Sequence, residues 1–277
     1  LPKSNAMQAL NRSVLVVDDN DMNRDLLIRR MEQEGYHVAA ASGGQRALDI
    51  LRQERFDLML LDLMMPGMDG FEVLTQLKAD AGHGNMPVMM ITADNDVESV
   101  KRCIKLGAVD YIVKPINMAV LKSRAWGHIA KASQLHAINR SGKLSHATEG
   151  ARILAVDDIE LNRDLLANRL SKSGYIVKTA ESADAALRVL GMEVIHLMLL
   201  DLLMPGVDGF QLLEQVRKNP RLAHLPVIIL SGEDSSDAMT RGLALGADDY
   251  VVKPFYAPIL KSRIDACLAA ERLRARQ

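Results

Sequence analysis

The sequence predicts two tandem α/β domains, each a doubly wound (βα)5 unit whose parallel sheet has the strand order 2-1-3-4-5. The length of 277 residues suits two domains of ordinary size better than a single core. A motif at 60–71, LLDLMMPGMDGF, returns at 199–210 as LLDLLMPGVDGF. Short apolar runs also alternate with helical patterns, which is typical of a parallel sheet covered by helices on both faces.

The repeat extends well beyond this motif. Matched residues are always 139 positions apart, as Asp62 and Asp201 are, so the aligned parts contain no net insertion. This constant spacing indicates a duplicated domain. The other matched segments are Val17-Asp18-Asp19 with Val156-Asp157-Asp158, residues 23–27 with 162–166, Gly35-Tyr36 with Gly174-Tyr175, Thr92 with Ser231, and residues 110–115 with 249–254.

Within the first copy, each element is predicted from its own residue pattern. The first helix has apolar spacing at Leu26, Leu27 and Met31 and ends at Gly35, a residue that commonly terminates helices. Asp69 is placed to cap the third helix. The predicted strands are 13–19, 36–41, 56–62, 87–93 and 110–115, and the predicted helices are 22–35, 43–53, a stretch from about 69, 97–107 and a stretch from about 118 into the 130s. The second copy repeats this order from Arg152.

Composition sets the domain boundaries. The first domain is predicted at 12–133 and the second at 151–277. The segment 134–150 is polar and lacks apolar periodicity, so it is interpreted as a linker into which the preceding helix continues for a turn or two at most. Residues 1–11 are interpreted as the remnant of a purification tag followed by an N-terminal tail.

Charge and cysteine usage exclude several classes of protein. The net charge is −1 and no basic block is present, so the electrostatic pattern of a nucleic-acid-binding protein is missing. Asp62 and Asp201 interrupt the longest apolar runs, so no membrane span is predicted. Cys103 and Cys267 lack metal-ligand spacing and are interpreted as free thiols of a reducing compartment. We therefore expect a cytoplasmic protein.

Three carboxylates are predicted to meet in the first copy. In the 2-1-3-4-5 order, ligands bind outside the carboxyl ends of the first and third strands, where Asp18, Asp19 and Asp62 fall. Neighbouring carboxylates repel one another, and a divalent cation relieves that repulsion. An all-oxygen site with few protein ligands suits Mg²⁺. Lys114, at the end of the fifth strand, can add positive charge. The alternative is that the aspartates only cap helices and the lysine is a surface residue, but the twofold occurrence of all these positions favours a functional site.

Taken together, these motifs resemble the receiver domains of two-component response regulators, over roughly 12–133 and 151–270. The resemblance implies the flavodoxin-like fold of the single-domain chemotaxis regulator. It also implies phosphorelay signalling, with phosphoryl groups received from a histidine kinase or phosphotransfer protein. The implied phosphoryl acceptors are Asp62 and Asp201. The implied Mg²⁺ ligands are these two acids, Asp18, Asp19, Asp157 and Asp158, and the carbonyl groups of Met64 and Leu203.

The resemblance assigns roles to further residues. Thr92 and Ser231 would donate a hydrogen bond to one phosphoryl oxygen, and Lys114 and Lys253 would pair with another. The residues after the hydroxyls, Ala93 and Gly232, are small enough for a backbone N–H to approach the phosphoryl group. Tyr111 and Tyr250 would turn inward behind the hydroxyl as a switch, and each Lys-Pro bond, at 114–115 and 253–254, would be cis.

Several expectations concern the protein's activity. Neither copy has lost an acid, a hydroxyl or a lysine, so both are expected to be phosphorylated. Met64 and Leu203 are bulky and apolar where some fast-hydrolysing relatives are polar, which predicts a long-lived phosphoryl state. The chain is expected to be a phosphoacceptor regulator without a separate enzymatic activity, signalling by conformational change and assembly. The family's usual dimer face is formed by the fourth helix, fifth strand and fifth helix.

Two alternatives remain. The final helix at 258–277 lacks a stop signal, which favours a larger regulator with a downstream output domain such as a diguanylate cyclase. The other alternative is a haloacid-dehalogenase-type phosphatase, which also forms an aspartyl phosphate with Mg²⁺. That family places its nucleophile after the first strand in an Asp-x-Asp-x-Thr pattern. This chain has adjacent Asp18 and Asp19 there, and the lone acceptor follows the third strand.

Overall fold

A computed structural model describes residues 12–80, 82–93, 97–141, 150–202, 204, 209–232, 236–253 and 255–274. The chain divides into two compact units, residues 1–132 and 133–277. The predicted tag remnant at 1–11, Leu203, Pro254 and the position predicted to cap the third helix of the second copy, residue 208, lie outside the described residues.

The first unit is a five-stranded parallel sheet in the order β2-β1-β3-β4-β5, as the sequence predicts. Its strands are short and apolar, which suits burial on both faces. The strands are β1 Ser13–Val17, β2 His37–Ala41, β3 Leu58–Asp62, β4 Val88–Thr92 and β5 Asp110–Val113. The helices are α1 Asp21–Gln33, α2 Gly44–Leu51, α3 Gly70–Ala79, α4 Val97–Lys105 and α5 Met118–Ser141.

The second unit repeats this architecture with the sheet order β7-β6-β8-β9-β10. The fold class predicted from the sequence is therefore confirmed in both units. The strands are β6 Arg152–Val156, β7 Ile176–Ala180, β8 Leu197–Asp201, β9 Val227–Ser231 and β10 Asp249–Val252. The helices are α6 Glu160–Ser171, α7 Ala183–Met192, α8 Gly209–Lys218, α9 Ser236–Ala244 and α10 Ala257–Arg274.

Alternating side chains of the first sheet fill two separate cores. One face packs Val14 and Leu60 against α1 and α5, and the opposite face packs Leu15 and Leu61 against α2 and α3. This alternation follows from the two-residue period of a strand. Because both faces are covered, polar side chains of the central strands gather at the carboxyl-terminal edge of the sheet.

One detail differs from the sequence interpretation. Leu26 is predicted on the apolar face of the first helix, but it is 48 % exposed, whereas Leu27 and Met31 are buried. A helix advances about 100° per residue, so the neighbour of a central core residue can point to solvent. Helix α5 continues to Ser141, about two turns into the segment 134–150, as the sequence predicts.

Glycines end and start helices at the positions the sequence indicates. Gly35 and Gly174 have φ angles of 84° and 88°, in the left-handed region that terminates a helix without strain. Asp69 caps α3 through a reciprocal capping box with Glu72. At the following position, a Cβ on Gly70 would fall against the backbone of Asp62, so only glycine lets α3 begin this close to the end of β3.

Among the described residues, no helix is long and apolar enough to cross a lipid bilayer.

Candidate functional site

Three carboxylates of the first unit meet at the carboxyl edge of its sheet. Asp18 follows β1 and Asp62 ends β3, and these strands are paired from Val14 with Leu58 onward. Carboxylate oxygens of Asp18, Asp19 and Asp62 all lie within 4.8 Å of one another. Asp18 and Asp62 are buried, whereas Asp19 is exposed. The strand register thus brings together the acids that the sequence places at separate strand ends.

A lysine approaches two of these acids from the other side. Lys114 follows β5, and its Nζ lies 3.1 Å from Asp18 Oδ2 and 2.8 Å from Asp62 Oδ2. The other oxygen of Asp18 accepts the backbone N–H of Asn20 at 2.9 Å. Lys114 therefore bridges the acid of the first strand to the acid of the third strand, offsetting part of their repulsion.

The second unit builds the same arrangement from its own residues. Carboxylate oxygens of Asp157, Asp158 and Asp201 lie within 4.8 Å of one another. Lys253 Nζ lies 2.7 Å from Asp157 Oδ2 and 2.6 Å from Asp201 Oδ2. In addition, the side-chain amide of Asn162 donates to both oxygens of Asp157, at 3.0 and 3.1 Å.

Burial and charge shift the pKa values at these sites. Burial raises the pKa of Asp62 above its ordinary 3.8, and the nearby Asp18 pushes it the same way, while the hydrogen bond from Lys114 opposes the rise. Burial alone would lower the pKa of Lys114, but its bonds to Asp62 and Asp18 raise that pKa overall. The pKa of Lys253 is raised in the same way by Asp157 and Asp201. Each lysine is thus firmly cationic, and the carboxylates of the first site still carry more negative charge than one lysine offsets.

The predicted hydroxyl residues lie at the ends of β4 and β9. Thr92 and Ser231 are both buried, and each accepts a backbone hydrogen bond from the lysine of its own unit through its carbonyl oxygen. Those N···O distances are 2.7 Å from Lys114 and 2.6 Å from Lys253. The next residue is exposed Ala93 in the first unit and partly buried Gly232 in the second. Both hydroxyl residues thus belong to the same sheet edge as the acids.

The predicted switch tyrosines lie on the strands next to the hydroxyl residues. Tyr111 of β5 pairs in register with Met90 of β4, and Tyr250 of β10 pairs with Ile229 of β9. Both tyrosines are partly buried and pack against a hydrophobic core of their unit. Their assignment as switches stays a prediction.

The segment after the acceptor is described only in the first unit. The backbone N–H of Met64 opposes the rise in the pKa of Asp62, and the Met64 side chain is 71 % exposed. The Lys114–Pro115 peptide bond is cis, as the resemblance implies. The matching predictions in the second unit, at Leu203 and at the 253–254 bond, fall outside the described residues.

Sequence reasoning missed one set of contacts. Residues 23–24 and 162–163, both Asn-Arg, were noticed as part of the repeat but received no role. Arg24 Nη1 donates to the carbonyl oxygen of Asp18 at 2.9 Å, and Arg163 Nη1 donates to the carbonyl oxygens of Asp157 and Asp158 at 2.8 and 2.9 Å. The recurrence of an arginine six residues after the buried acid was the available signal.

Comparison with known families decides the identity of the fold. The model of the response regulator receiver domain matches twice, at 14–126 and at 153–265, which together is more than half of the chain. This chain belongs to the response regulator receiver family. Both matches include the acids, the hydroxyl residue and the lysine of their unit, so the protein is a tandem receiver response regulator of phosphorelay signal transduction.

Curated relatives fall in the same group. The chain is 29 % identical over 275 residues to response regulator PleD of Caulobacter vibrioides, covering 95 % of this chain and 60 % of PleD. It is 30 % identical over 205 residues to the DNA-binding response regulator MtrA of Mycolicibacterium smegmatis, covering 74 % of this chain and 82 % of MtrA. A Vibrio cholerae relative named "Probable cyclic di-GMP phosphodiesterase" is 32 % identical over 179 residues, covering 60 % of this chain and 40 % of the relative. The chain thus spans less than two thirds of the length of PleD.

Solved structures are also similar to this chain. The receiver domain of NtrX from Brucella abortus is 35 % identical, with a TM-score of 0.38, covering 41 % of this chain and 97 % of that one. A probable two-component system response regulator/GGDEF domain protein is 24 % identical, with a TM-score of 0.42, covering 95 % of this chain and 100 % of that one.

Membership of the family carries general properties. Receiver domains are regulatory phosphoacceptors that bind Mg²⁺ at an acidic phosphorylation site and interact with histidine kinases or phosphotransfer proteins. The acidic clusters described above are the groups of this chain that suit such a site.

Proposed function

We propose that both units of this protein accept a phosphoryl group, on Asp62 in the first and on Asp201 in the second. The main support is the lysine bridge, which recurs in both units. In each case a lysine Nζ joins the first-strand acid to the third-strand acid, and a third carboxylate lies within 4.8 Å. Each lysine thus holds its third-strand acid in place and offsets part of the negative charge beside it, which favours attack by that carboxylate on phosphorus.

The chain's own residues fit the steps of phosphoryl transfer. A carboxylate oxygen of Asp62 attacks the phosphorus of a phosphohistidine, an O–P bond forms, and the N–P bond to the imidazole breaks. Negative charge is spread over the equatorial oxygens in the transition state. Lys114 is already held beside Asp62 and pairs with one of these oxygens, Thr92 donates its hydroxyl to another, and the backbone N–H of Ala93 approaches the same group. Lys253, Ser231 and Gly232 take these roles around Asp201.

The acidic clusters fit a magnesium ion. Carboxylate and carbonyl oxygens are the ligands that Mg²⁺ prefers, and the ion keeps several waters, so a site with few protein ligands suffices. The first site would hold it with the carboxylates of Asp18, Asp19 and Asp62 and the carbonyl of Met64. The second would use Asp157, Asp158, Asp201 and the carbonyl of Leu203. When bound, the ion supplies positive charge that stabilises the transferring phosphoryl group.

Incorporation of labelled phosphate tests the assignment. The experiment compares the unaltered chain with Asp62→Asn, Asp201→Asn and the double variant, with a phosphodonor and Mg²⁺. At saturating Mg²⁺, we expect each single variant to keep about half of the label, because each site has its own acceptor, hydroxyl and lysine, and the double variant to keep none. If one single variant loses all label, only one unit is an acceptor. Label that persists in the double variant would place the acceptor elsewhere.

The proposal extends to the lifetime of the phosphoryl group and to the way the signal leaves each unit. Met64 is apolar and exposed beside Asp62, so an in-line water has no polar group there to position it. We therefore expect a long-lived acyl phosphate, and a half-life of only seconds at neutral pH would contradict this. Movement of Thr92 and Tyr111, or of Ser231 and Tyr250, would reshape the surface of the fourth helix, fifth strand and fifth helix, which we propose as the homodimer face.

We also propose that the receivers control an output domain acting on cyclic di-GMP, a diguanylate cyclase being the leading candidate. The Vibrio cholerae relative, named a probable cyclic di-GMP phosphodiesterase, supports the link to cyclic di-GMP, whereas the choice of a cyclase follows from the resemblance to the family. The receiver units themselves would have no separate enzymatic activity. Assaying the full-length gene product for synthesis or hydrolysis of cyclic di-GMP, with and without phosphorylation, tests this output.

A further inference from the structure

An arginine in the first turn of α1 hydrogen-bonds to the acid pair that precedes this helix. The side chain of Arg24 is only 16 % exposed, and its Nη1 donates to the Asp18 carbonyl oxygen at 2.9 Å. Its Nη2 pairs with Asp21. The position thus combines a largely buried charge with a bond to the backbone of a predicted metal ligand.

The matched arginine of the repeat makes the same contact in the second unit. Arg163 Nη1 donates to the carbonyl oxygens of both acids, 2.8 Å from Asp157 O and 2.9 Å from Asp158 O. Residues 23–27 and 162–166 are identical, and both units direct the guanidinium to the carbonyl of the buried acid.

The bonded carbonyl belongs to the peptide unit that leads into the second acid. Asp18 is fixed at its amide by a bond to Ala41 O at 3.3 Å and at its side chain by the Asn20 N–H. The arginine fixes the remaining polar group, the carbonyl, and with it the plane of the peptide that joins Asp18 to Asp19. The orientation of that plane sets the direction of the Cα–Cβ bond of Asp19, whose carboxylate is exposed.

We propose that Arg24 and Arg163 are positioning residues that preorganise each acid pair for Mg²⁺ by hydrogen-bonding its backbone. Groups that hydrogen-bond to metal ligands and orient them typically contribute 10- to 100-fold to metal affinity. Arginine suits this task because its planar donors are rigid and remain charged, which lysine, a flexible point charge of shorter reach, does not reproduce. The inference rests on the proposed Mg²⁺-dependent acceptor site.

Metal affinity measured one site at a time provides the test. In the full chain, Asp157→Asn together with Asp158→Asn removes the second site, which leaves the first to be titrated with Mn²⁺ alone. Electron paramagnetic resonance counts the free Mn²⁺, and competition by Mg²⁺ gives its affinity. On this background we compare Arg24→Ala, Arg24→Lys and the control Arg30→Lys, an exposed arginine of the same helix.

We expect Arg24→Ala to weaken Mn²⁺ and Mg²⁺ binding by about tenfold or more. Arg24→Lys should weaken it less, because it keeps the charge and a donor, and Arg30→Lys should leave it within about twofold. The amide resonance of Asp19 belongs to the peptide unit that Arg24 holds, so it should shift in both Arg24 variants and not in the control. A purely structural role would lower the melting temperature and leave the metal affinity of the folded protein unchanged.

The possible results distinguish failure of this inference from failure of the proposed Mg²⁺ site on which it rests. If the background protein with Arg24 intact binds no Mn²⁺, the proposed metal site itself is wrong. If that protein binds Mn²⁺ and both Arg24 variants bind as tightly, the positioning role is wrong. Weaker binding without any shift of the Asp19 amide would mean that the charge acts at a distance, which also overturns it. Should Arg24→Ala fail to fold, Arg24→Lys decides by the same criteria. Arg163→Lys with Arg169→Lys as control repeats the test at the second site.

Discussion

The two acidic sites share their lysine bridge but differ in what else holds the first acid. In the first unit, Asn20 caps α1 by accepting the backbone N–H of Asn23. In the second unit the cap position is Ile159, which has no side-chain acceptor, and the amide of Asn162 binds both oxygens of Asp157 instead. Asn23 and Asn162 are matched residues, yet the first unit uses the backbone N–H of Asn23 in its helix cap, whereas the second uses the side-chain amide of Asn162 on its buried acid.

This comparison teaches that duplicated motifs need not give equivalent sites. Both first-strand acids bind a lysine and a backbone N–H, from Asn20 at Asp18 and from Ile159 at Asp157. At Asp157, a cation has to compete with the side-chain amide of Asn162 in addition. We therefore expect the second site to bind Mg²⁺ more weakly than the first. We also expect the free energy of unfolding to depend less on Lys253 than on Lys114.

The largest effect should come from removing the bridging lysine in Mg²⁺-free buffer. Lys114→Met leaves Asp18 and Asp62 buried beside each other without their shared cation, which should cost about 3 kcal/mol of unfolding free energy. Lys253→Met should cost less, about 2 kcal/mol, because the Asn162 amide still satisfies Asp157. Urea unfolding followed by circular dichroism measures both. Equal losses at the two positions would remove the proposed difference between the sites.

A second difference lies at the tyrosine that follows each first-helix glycine. The hydroxyl of Tyr175 donates a hydrogen bond to buried Asp265 at 2.5 Å. At the matched position of the first unit, Tyr36 is also buried, and burial raises its pKa to about 12. The matched position of Asp265 in the first unit is Trp126. Tyr175→Phe leaves a buried carboxylate short of a donor and should cost about 1–2 kcal/mol, while Tyr36→Phe should stay within about 0.5 kcal/mol. Thermal and urea unfolding of the two variants compare them directly, and a larger loss at Tyr36 would contradict this.

A smaller effect should follow from freeing Asp157. Asn162→Ala removes the amide from both carboxylate oxygens, so Mg²⁺ should bind the second site about fivefold more tightly, the equivalent of about 1 kcal/mol. Asn23→Ala should leave the first site unchanged and serves as the matched control. Calorimetric titration with Mg²⁺ measures both, and weaker binding in Asn162→Ala would show that the amide supports the metal site.

The smallest effect concerns pH. Because burial raises the pKa of Asp62, the folded chain holds this proton more tightly than the unfolded chain does. The contribution of Asp62 to stability is therefore present at low pH and is lost as the pH rises through the raised pKa. In Mg²⁺-free buffer, the free energy of unfolding should therefore decline above pH 3.8, and the decline should be smaller in Asp62→Asn, which has no carboxyl proton to lose. A decline of the same slope in Asp62→Asn would assign it to other carboxylates.

Much of the fold and of the site could be predicted because both follow from patterns along the chain. Buried parallel strands must be apolar, so the acids at their ends stand out, and the constant offset of 139 residues shows each of them twice. The order of alternating strands and helices places Asp18 and Asp62 at one edge, and the ends of β1 and β3 do meet there. Leu26 could not be placed correctly, because apolar spacing identifies a face and not which of its residues lies at the boundary.

By itself, the sequence determined that two receiver folds are present and which acids, hydroxyl residues and lysines lie together in each. These residues stand at the carboxyl ends of parallel strands, and those ends meet at one edge of the sheet. Only the tertiary structure decided how the surrounding groups divide their hydrogen bonds. Arg24 and Arg163 donate to backbone carbonyls. Asn162 donates its side-chain amide to Asp157, whereas Asn23 donates its backbone N–H to a helix cap. Such choices depend on donor and acceptor geometry within a few ångströms, which a residue pattern does not encode.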